Sequence, residues 1–301
     1  MDDYRKYLDP QTLAKVQNLD LAARQIVEGY VSGSHKSPFH GFSAEFAQHR
    51  EYVIGDDLRY VDWKVYAKSD RYYLKQYEAE TNFTCHIILD CSESMRYRSA
   101  NAALSKWEYG RLVAAALAYV VIKQQDAAGL CTVNDHVIDF LRPSSQPTHL
   151  KQIYYTMEHT EPTGESGLGK VFHELAERIT RRSLIIIISD LFDDLDSVLL
   201  GLKHFRHRKH DVSLLQVIDP AEQDFPFQEP VLFRGLENQP EQMAEPRSLK
   251  KAYQAEFEQF LKTVQRGCRD LKMDYALIRT DAFLDVALSA FLSHRQTRVG
   301  S

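Results

Sequence analysis

Two largely apolar runs that each end on an aspartate constrain this chain more than any other feature: Phe83-Thr-Cys-His-Ile-Ile-Leu-Asp90 and Ser183-Leu-Ile-Ile-Ile-Ile-Ser-Asp190. A run without polar alternation has no face to turn to water, so such a strand is buried on both sides, as strands inside a parallel sheet are. Helical and strand patterns alternate around the two runs. The spacing predicts helices over 104–124, 168–179, 196–206, 248–271 and 282–292, and strands over 72–77, 128–134, 137–141, 212–218 and 275–279, with 154–159 ambiguous. The expected class is α/β: a doubly wound, mainly parallel sheet flanked by helices. In that architecture ligands bind beyond the carboxyl ends of the strands, where the strand order reverses. Asp90 and Asp190 occupy strand ends of that kind.

The first part of the chain reads differently. Residues 13–31 predict one amphipathic helix, and 32–70 carry Gly, His, aromatic and charged residues without a period, the signature of an ordered loop system. We therefore expect an N-terminal helix and loop extension over 1–80 and an α/β domain over 81–301. Within the extension, Trp63, Tyr52 and Phe46 can pack it down while Arg50 and Arg59 pair with Asp56, Asp57 or Asp62; a partner-docking surface is the alternative.

Net charge is −5, from 37 basic and 42 acidic residues, which supplies no basic excess for bulk nucleic-acid binding. The longest apolar stretches, 112–122 and 184–188, fall short of the roughly 20 residues that span a bilayer. The start Met-Asp-Asp-Tyr-Arg-Lys has no apolar run of the signal-peptide kind, so the expected location is cytoplasmic. The four cysteines, Cys85, Cys91, Cys131 and Cys268, form no Cys-x-x-Cys pair and read as reduced thiols. His204, His207 and His210 share a basic helix end rather than a metal motif.

The sharpest local feature is Asp90-Cys-Ser-Glu-Ser-Met95. In extended backbone, Asp90, Ser92 and Ser94 project to one side of a loop at the sheet edge. A carboxylate, hydroxyls and water are what Mg²⁺ prefers, and Asp190 can add a second carboxylate directly or through water. The other use of the same residues is local, since Asp and Ser after a strand make turns and cap orphan N–H groups. Motifs for serine hydrolases, dinucleotide binding, zinc proteases and Asp-x-Asp phosphotransferases are absent, and no nucleophile and base pair can be named. Gly164-Glu-Ser-Gly-Leu-Gly-Lys170 has the glycine and lysine spacing of a P-loop, with Asp190 as its Walker B acid. It carries Val171 where the Mg²⁺-holding hydroxyl belongs.

Gly41-Phe-Ser-Ala-Glu-Phe-Ala-Gln-His-Arg-Glu-Tyr52, then Gly55-Asp-Asp-Leu-Arg-Tyr-Val-Asp-Trp-Lys64, then Asp90-x-Ser-x-Ser-Met95 together resemble the bacterial domain-of-unknown-function family fifty-eight, which is similar to von Willebrand factor type A domains. The resemblance runs from about Gly33 to Asp190. It implies a metal-ion-dependent adhesion site, with Asp90, Ser92 and Ser94 from the first loop and Asp190 from the third. The Thr of the second loop is replaced in Gly164-Glu-Ser-Gly167, where Ser166 stands in and Thr163 is its rival. It also implies a non-enzymatic protein-interaction module whose Mg²⁺, or another divalent cation, is completed by a partner's carboxylate. A MoxR-type AAA+ ATPase is the implied partner, in the assembly or maturation of other proteins.

Overall fold

The computed structural model describes residues 8–16, 18–33, 48–51, 65, 72–76, 84–233, 235, 242–284 and 288. The chain divides into two units, one formed by 1–38 with 83–301 and the other by 39–82. The smaller unit contains an antiparallel pair, β1 (Gln48–Glu51) with β2 (Tyr73–Gln76), in the register Gln48↔Gln76 to Glu51↔Tyr73. The aromatic and charged positions 46, 52, 56, 57, 59, 62 and 63 lie outside the described residues, as does most of 282–292.

In the larger unit, six strands form one sheet: β3 (Thr84–Asp90), β4 (Ala127–Val133), β5 (Val137–Ser144), β6 (Leu184–Ser189), β7 (Asp211–Ile218) and β10 (Asp274–Arg279). Their order is β10-β7-β6-β3-β4-β5, parallel throughout except for β5, which runs antiparallel to β4 at the edge. The chain moves outward from β3 to β4 and β5, then returns to the other side of β3 as β6. The order therefore reverses between β3 and β6, the two strands whose apolar runs end on Asp90 and Asp190.

Alternation along β6 divides its isoleucines between two cores. Ile185 and Ile187 join Ile88, Cys131, Val212 and Leu214 under α5 (Leu168–Arg178), α6 (Leu195–His207) and α8 (Pro246–Asp270). Ile188 meets the opposite layer, α3 (Lys106–Lys123), where Gly110 lets the helix approach: a Cβ there would stand 3.2 Å from Ile188 Cγ2. Each of these fully buried isoleucines contributes about 1.5–3 kcal/mol relative to exposure. Helix α3 starts on a reciprocal cap, Ser105 Oγ accepting the Glu108 N–H at 3.1 Å and Glu108 Oε2 accepting the Ser105 N–H at 2.7 Å.

Two local expectations change. The helix expected over 13–31 is broken into α1 (Pro10–Leu13) and α2 (Leu19–Gly33), because Asn18 Oδ1 accepts the Leu21 N–H at 3.0 Å and restarts the helix. α2 then packs on α3. The ambiguous 154–159 belongs to a helix, α4 (His149–His159), that buries Ile153, Tyr154 and Met157. The insertion after β7 holds a short helix, α7 (Pro220–Asp224), and an antiparallel pair, β8 (Val231–Phe233) with β9 (Gln242–Ala244). Among the described residues no helix is long and apolar enough to cross a membrane.

Candidate metal centre

The site begins with the pairing of β3 and β6. Their register ends at Leu89↔Ile188, which sets Asp90 beside Ser189. Ser189 Oγ donates to Asp90 Oδ2 at 2.5 Å, and the Ser92 N–H donates to Asp90 Oδ1 at 2.9 Å. Asp90, Ser92 and Ser189 are all buried. Both carboxylate oxygens of Asp90 thus have a donor, and each retains a lone pair.

Ser92 is extended, with φ −62° and ψ 161°, but the chain then coils into a 3₁₀ turn over Glu93–Arg96. The expectation of extended backbone through Ser94 is corrected here. It is the turn that brings the two hydroxyls together, Ser92 Oγ and Ser94 Oγ standing 3.0 Å apart. The second loop is tied beside the first: Glu93 N–H donates to Gly164 O and Thr163 N–H to Cys91 O, each at 2.9 Å. Arg96 Nε adds a bond to the Pro162 carbonyl. Gly164 takes φ +78°, the left-handed conformation that glycine adopts without a Cβ clash. Thr163 is exposed, while Ser166 is half-buried and its hydroxyl donates to Asp193 Oδ2 at 3.3 Å.

Asp190 follows β6 and is fully buried. Its Oδ1 accepts the Phe192 N–H at 3.1 Å, its carbonyl accepts Gln216 Nε2 at 3.0 Å, and its Oδ2 accepts Lys106 Nζ at 2.6 Å. The same ammonium donates to Glu222 Oε1 at 2.6 Å and lies 4.5 Å from the centre of the Phe192 ring. Lys106 and Glu222 are the site residues that sequence reasoning missed. Only one signal pointed to Lys106: it shares the stripe of Gly110, Val113 and Leu117 on a helix apolar almost all round.

Burial, and then the neighbouring Asp190, push the Asp90 carboxyl well above the usual carboxylate range, against the hydrogen bonds from Ser189 and Ser92. Burial also raises Glu222, which Lys106 partly offsets. Burial works against the charge on Lys106, yet Asp190 and Glu222 outweigh it and hold the amine protonated.

These residues fit a small hard cation. Hydroxyl oxygens 3.0 Å apart match neighbouring corners of an octahedron, whose edge is about 2.9 Å when metal–oxygen bonds are about 2.0–2.1 Å. A cation beside Asp90 would also favour the ionised form of a carboxyl that burial and Asp190 otherwise oppose. Among the described residues, no three His, Cys, Asp or Glu side chains form a metal cluster, so the hydroxyls carry the fit.

The P-loop alternative meets a different geometry. Gly164–Lys170 follows the helix α4 and a coil rather than a strand. The first amide of α5, Leu168 N–H, is already taken by Asp193 Oδ2 at 2.7 Å, so a phosphate there would face a carboxylate. His210 is structural: its Nδ1 accepts the Ser183 N–H at 3.2 Å and its Nε2 donates to Ile179 O at 3.1 Å.

A relative in Mycobacterium tuberculosis, an uncharacterized protein, is 24% identical over 233 residues, 76% of this chain and 72% of that one. Among solved structures, the conserved hypothetical protein BatB of Bacteroides thetaiotaomicron has a TM-score of 0.50 at 14% identity, over 72% of this chain and 99% of that one. A von Willebrand factor type A structure from Catenulispora acidiphila has a TM-score of 0.32 at 14% identity, over 45% of this chain and 33% of that one. The family model described as Protein of unknown function DUF58 matches residues 48–263, well over half of the sequence, and this chain belongs to that family.

Proposed function

We propose that this protein is a non-enzymatic interaction module that holds a divalent cation, Mg²⁺ in the first instance, on the Ser92 and Ser94 hydroxyls, with Asp90 and Asp190 beside them. The observation that carries this reading is the pair of hydroxyls 3.0 Å apart at the point where the strand order reverses. Ser92 and Ser94 would ligate directly. Asp90 and Asp190, whose oxygens already accept protein N–H and O–H groups, would act through water. A bound cation supplies a positive centre with positions left for a carboxylate oxygen from a partner protein. Ser166 is the second-loop candidate, with Thr163 its rival; the Asp193 bond tethers Ser166 to the loop after β6 that carries Asp190. The family resemblance supports a MoxR-type AAA+ ATPase as the partner, in the assembly or maturation of other proteins.

The test is thermal unfolding of the full chain in chelator and in a millimolar series of Mg²⁺, Mn²⁺ and Ca²⁺. A ligand that binds only the native state stabilises it, by about 2.7 kcal/mol at 100 times its dissociation constant. The expected result is a cation-dependent rise that Ser92→Ala with Ser94→Ala abolishes while leaving the fold intact by circular dichroism. A wild-type midpoint that no cation moves would overturn the reading.

A further inference from the structure

The feature of this site that metal binding leaves unexplained is the Lys106 ammonium. It is fully buried and reaches two carboxylates from different parts of the chain, Asp190 Oδ2 and Glu222 Oε1, each at 2.6 Å. Asp190 belongs to the loop after β6. Glu222 belongs to α7, where its other oxygen, Oε2, accepts the Asp219 N–H at 2.7 Å. The Tyr253 hydroxyl donates to the Glu222 carbonyl at 2.8 Å, tying α7 to α8. Lys106 therefore joins the metal-site loop to the start of the insertion that leaves the sheet after β7.

We propose that Lys106 is the resident cation of this site, competing with a divalent ion for Asp190 and tuned in that competition by Glu222. The inference rests on the metal site proposed above and names what regulates it. A fixed positive charge in a water-poor interior opposes a second cation nearby. By holding one oxygen of Asp190, Lys106 also leaves the ion fewer anionic ligands from this chain. An ion so held has more to gain from a partner's carboxylate. Glu222 shares the ammonium: with its charge present, Asp190 keeps more of its own for the ion, and with that charge removed, Lys106 pairs with Asp190 alone.

The experiment compares Mn²⁺ affinity by calorimetry and by electron paramagnetic resonance in wild type, Lys106→Met and Glu222→Gln, all as the full chain. Lys106→Met should bind Mn²⁺ more tightly, by roughly tenfold or more, and Glu222→Gln should bind it more weakly. Opposite signs separate this role from a purely structural one, since a damaged site weakens in both variants. Equal or weaker binding by folded Lys106→Met overturns the proposal. Should that variant not fold, Lys106→Gln takes its place with the same expectation: tighter binding than wild type supports the proposal, and equal or weaker binding overturns it. If Lys106→Met takes up Mn²⁺ and wild type does not, the native metal site fails while the competition stands. If no variant binds the ion, both fail.

Discussion

The two ends of the central sheet bury polar groups in opposite ways. At the amino end, His210 is satisfied by the backbone of Ser183 and Ile179, and burial lowers its pKa, so it stays neutral. His86, buried beside Phe140, is held at about 4 by burial and then by His210. At the carboxyl end, Asp190 and Glu222 share the Lys106 ammonium, while Asp90 accepts from Ser189 and the Ser92 and Ser94 hydroxyls stand close together. At the amino end these two histidines stay neutral, and His210 is satisfied by backbone groups. The carboxyl end crowds buried carboxylates together, which pushes Asp90 and Glu222 toward their neutral forms. A fold gains no stability from such crowding, so its place at the strand-order reversal points to a ligand rather than to architecture.

The comparison can be broken at several points, of decreasing effect. Removing Lys106 should cost the most, because breaking a buried ion pair strands the remaining charges: in chelator, Lys106→Met should lose about 3–5 kcal/mol by urea denaturation. A loss below about 1 kcal/mol would mean the carboxylates are protonated or solvated there.

The amino end should answer to acid. The folded-state pKa of His86 lies below its unfolded value of 6.5, at about 4. Its contribution is therefore present above pH 6.5 and is lost as the pH falls toward about 4, by roughly 3 kcal/mol in all. Denaturation across that window should show this slope in wild type and a shallower one in His86→Leu. Equal slopes would place the acid sensitivity elsewhere.

Asp90→Asn sharpens the contrast in the other direction. It removes a carboxylate whose ionisation burial and Asp190 oppose, so at pH 8 in chelator the variant should be more stable than wild type by about 2 kcal/mol. It should at the same time lose the Mg²⁺-dependent rise in midpoint. Destabilisation in chelator would mean that Asp90 is held as a structural anion.

The smallest effect belongs to the exposed pair Arg182–Asp211 at the amino end, 3.1 Å apart with the arginine 72% exposed. Arg182→Ala should change stability by less than about 1 kcal/mol, read from the same urea curves. A larger loss would show that this end relies on surface charge after all.

Much of this was legible in the residues, and the reason is local. The β3 and β6 runs could only be interior strands, and the Ser105 and Glu108 pair marks where α3 begins. Neighbouring hydroxyls at Ser92 and Ser94 were visible as donors, although the expected extended backbone was wrong: the 3₁₀ turn after Ser92 brings them to 3.0 Å. The break between α1 and α2 was missed because Asn18 competes for the backbone within an otherwise continuous apolar pattern.

By itself, then, the sequence determined the alternation of buried strands with helices and the placing of Asp90 and Asp190 at strand ends, because apolar periodicity is set by burial and is read along the chain. Only the tertiary structure decided what those aspartates meet. Lys106 lies 84 residues from Asp190 and 116 from Glu222. No spacing rule spans such separations; the sheet order and the seating of α3 on β3 and β6 bring the charges together, and the low dielectric of that interior makes their balance matter.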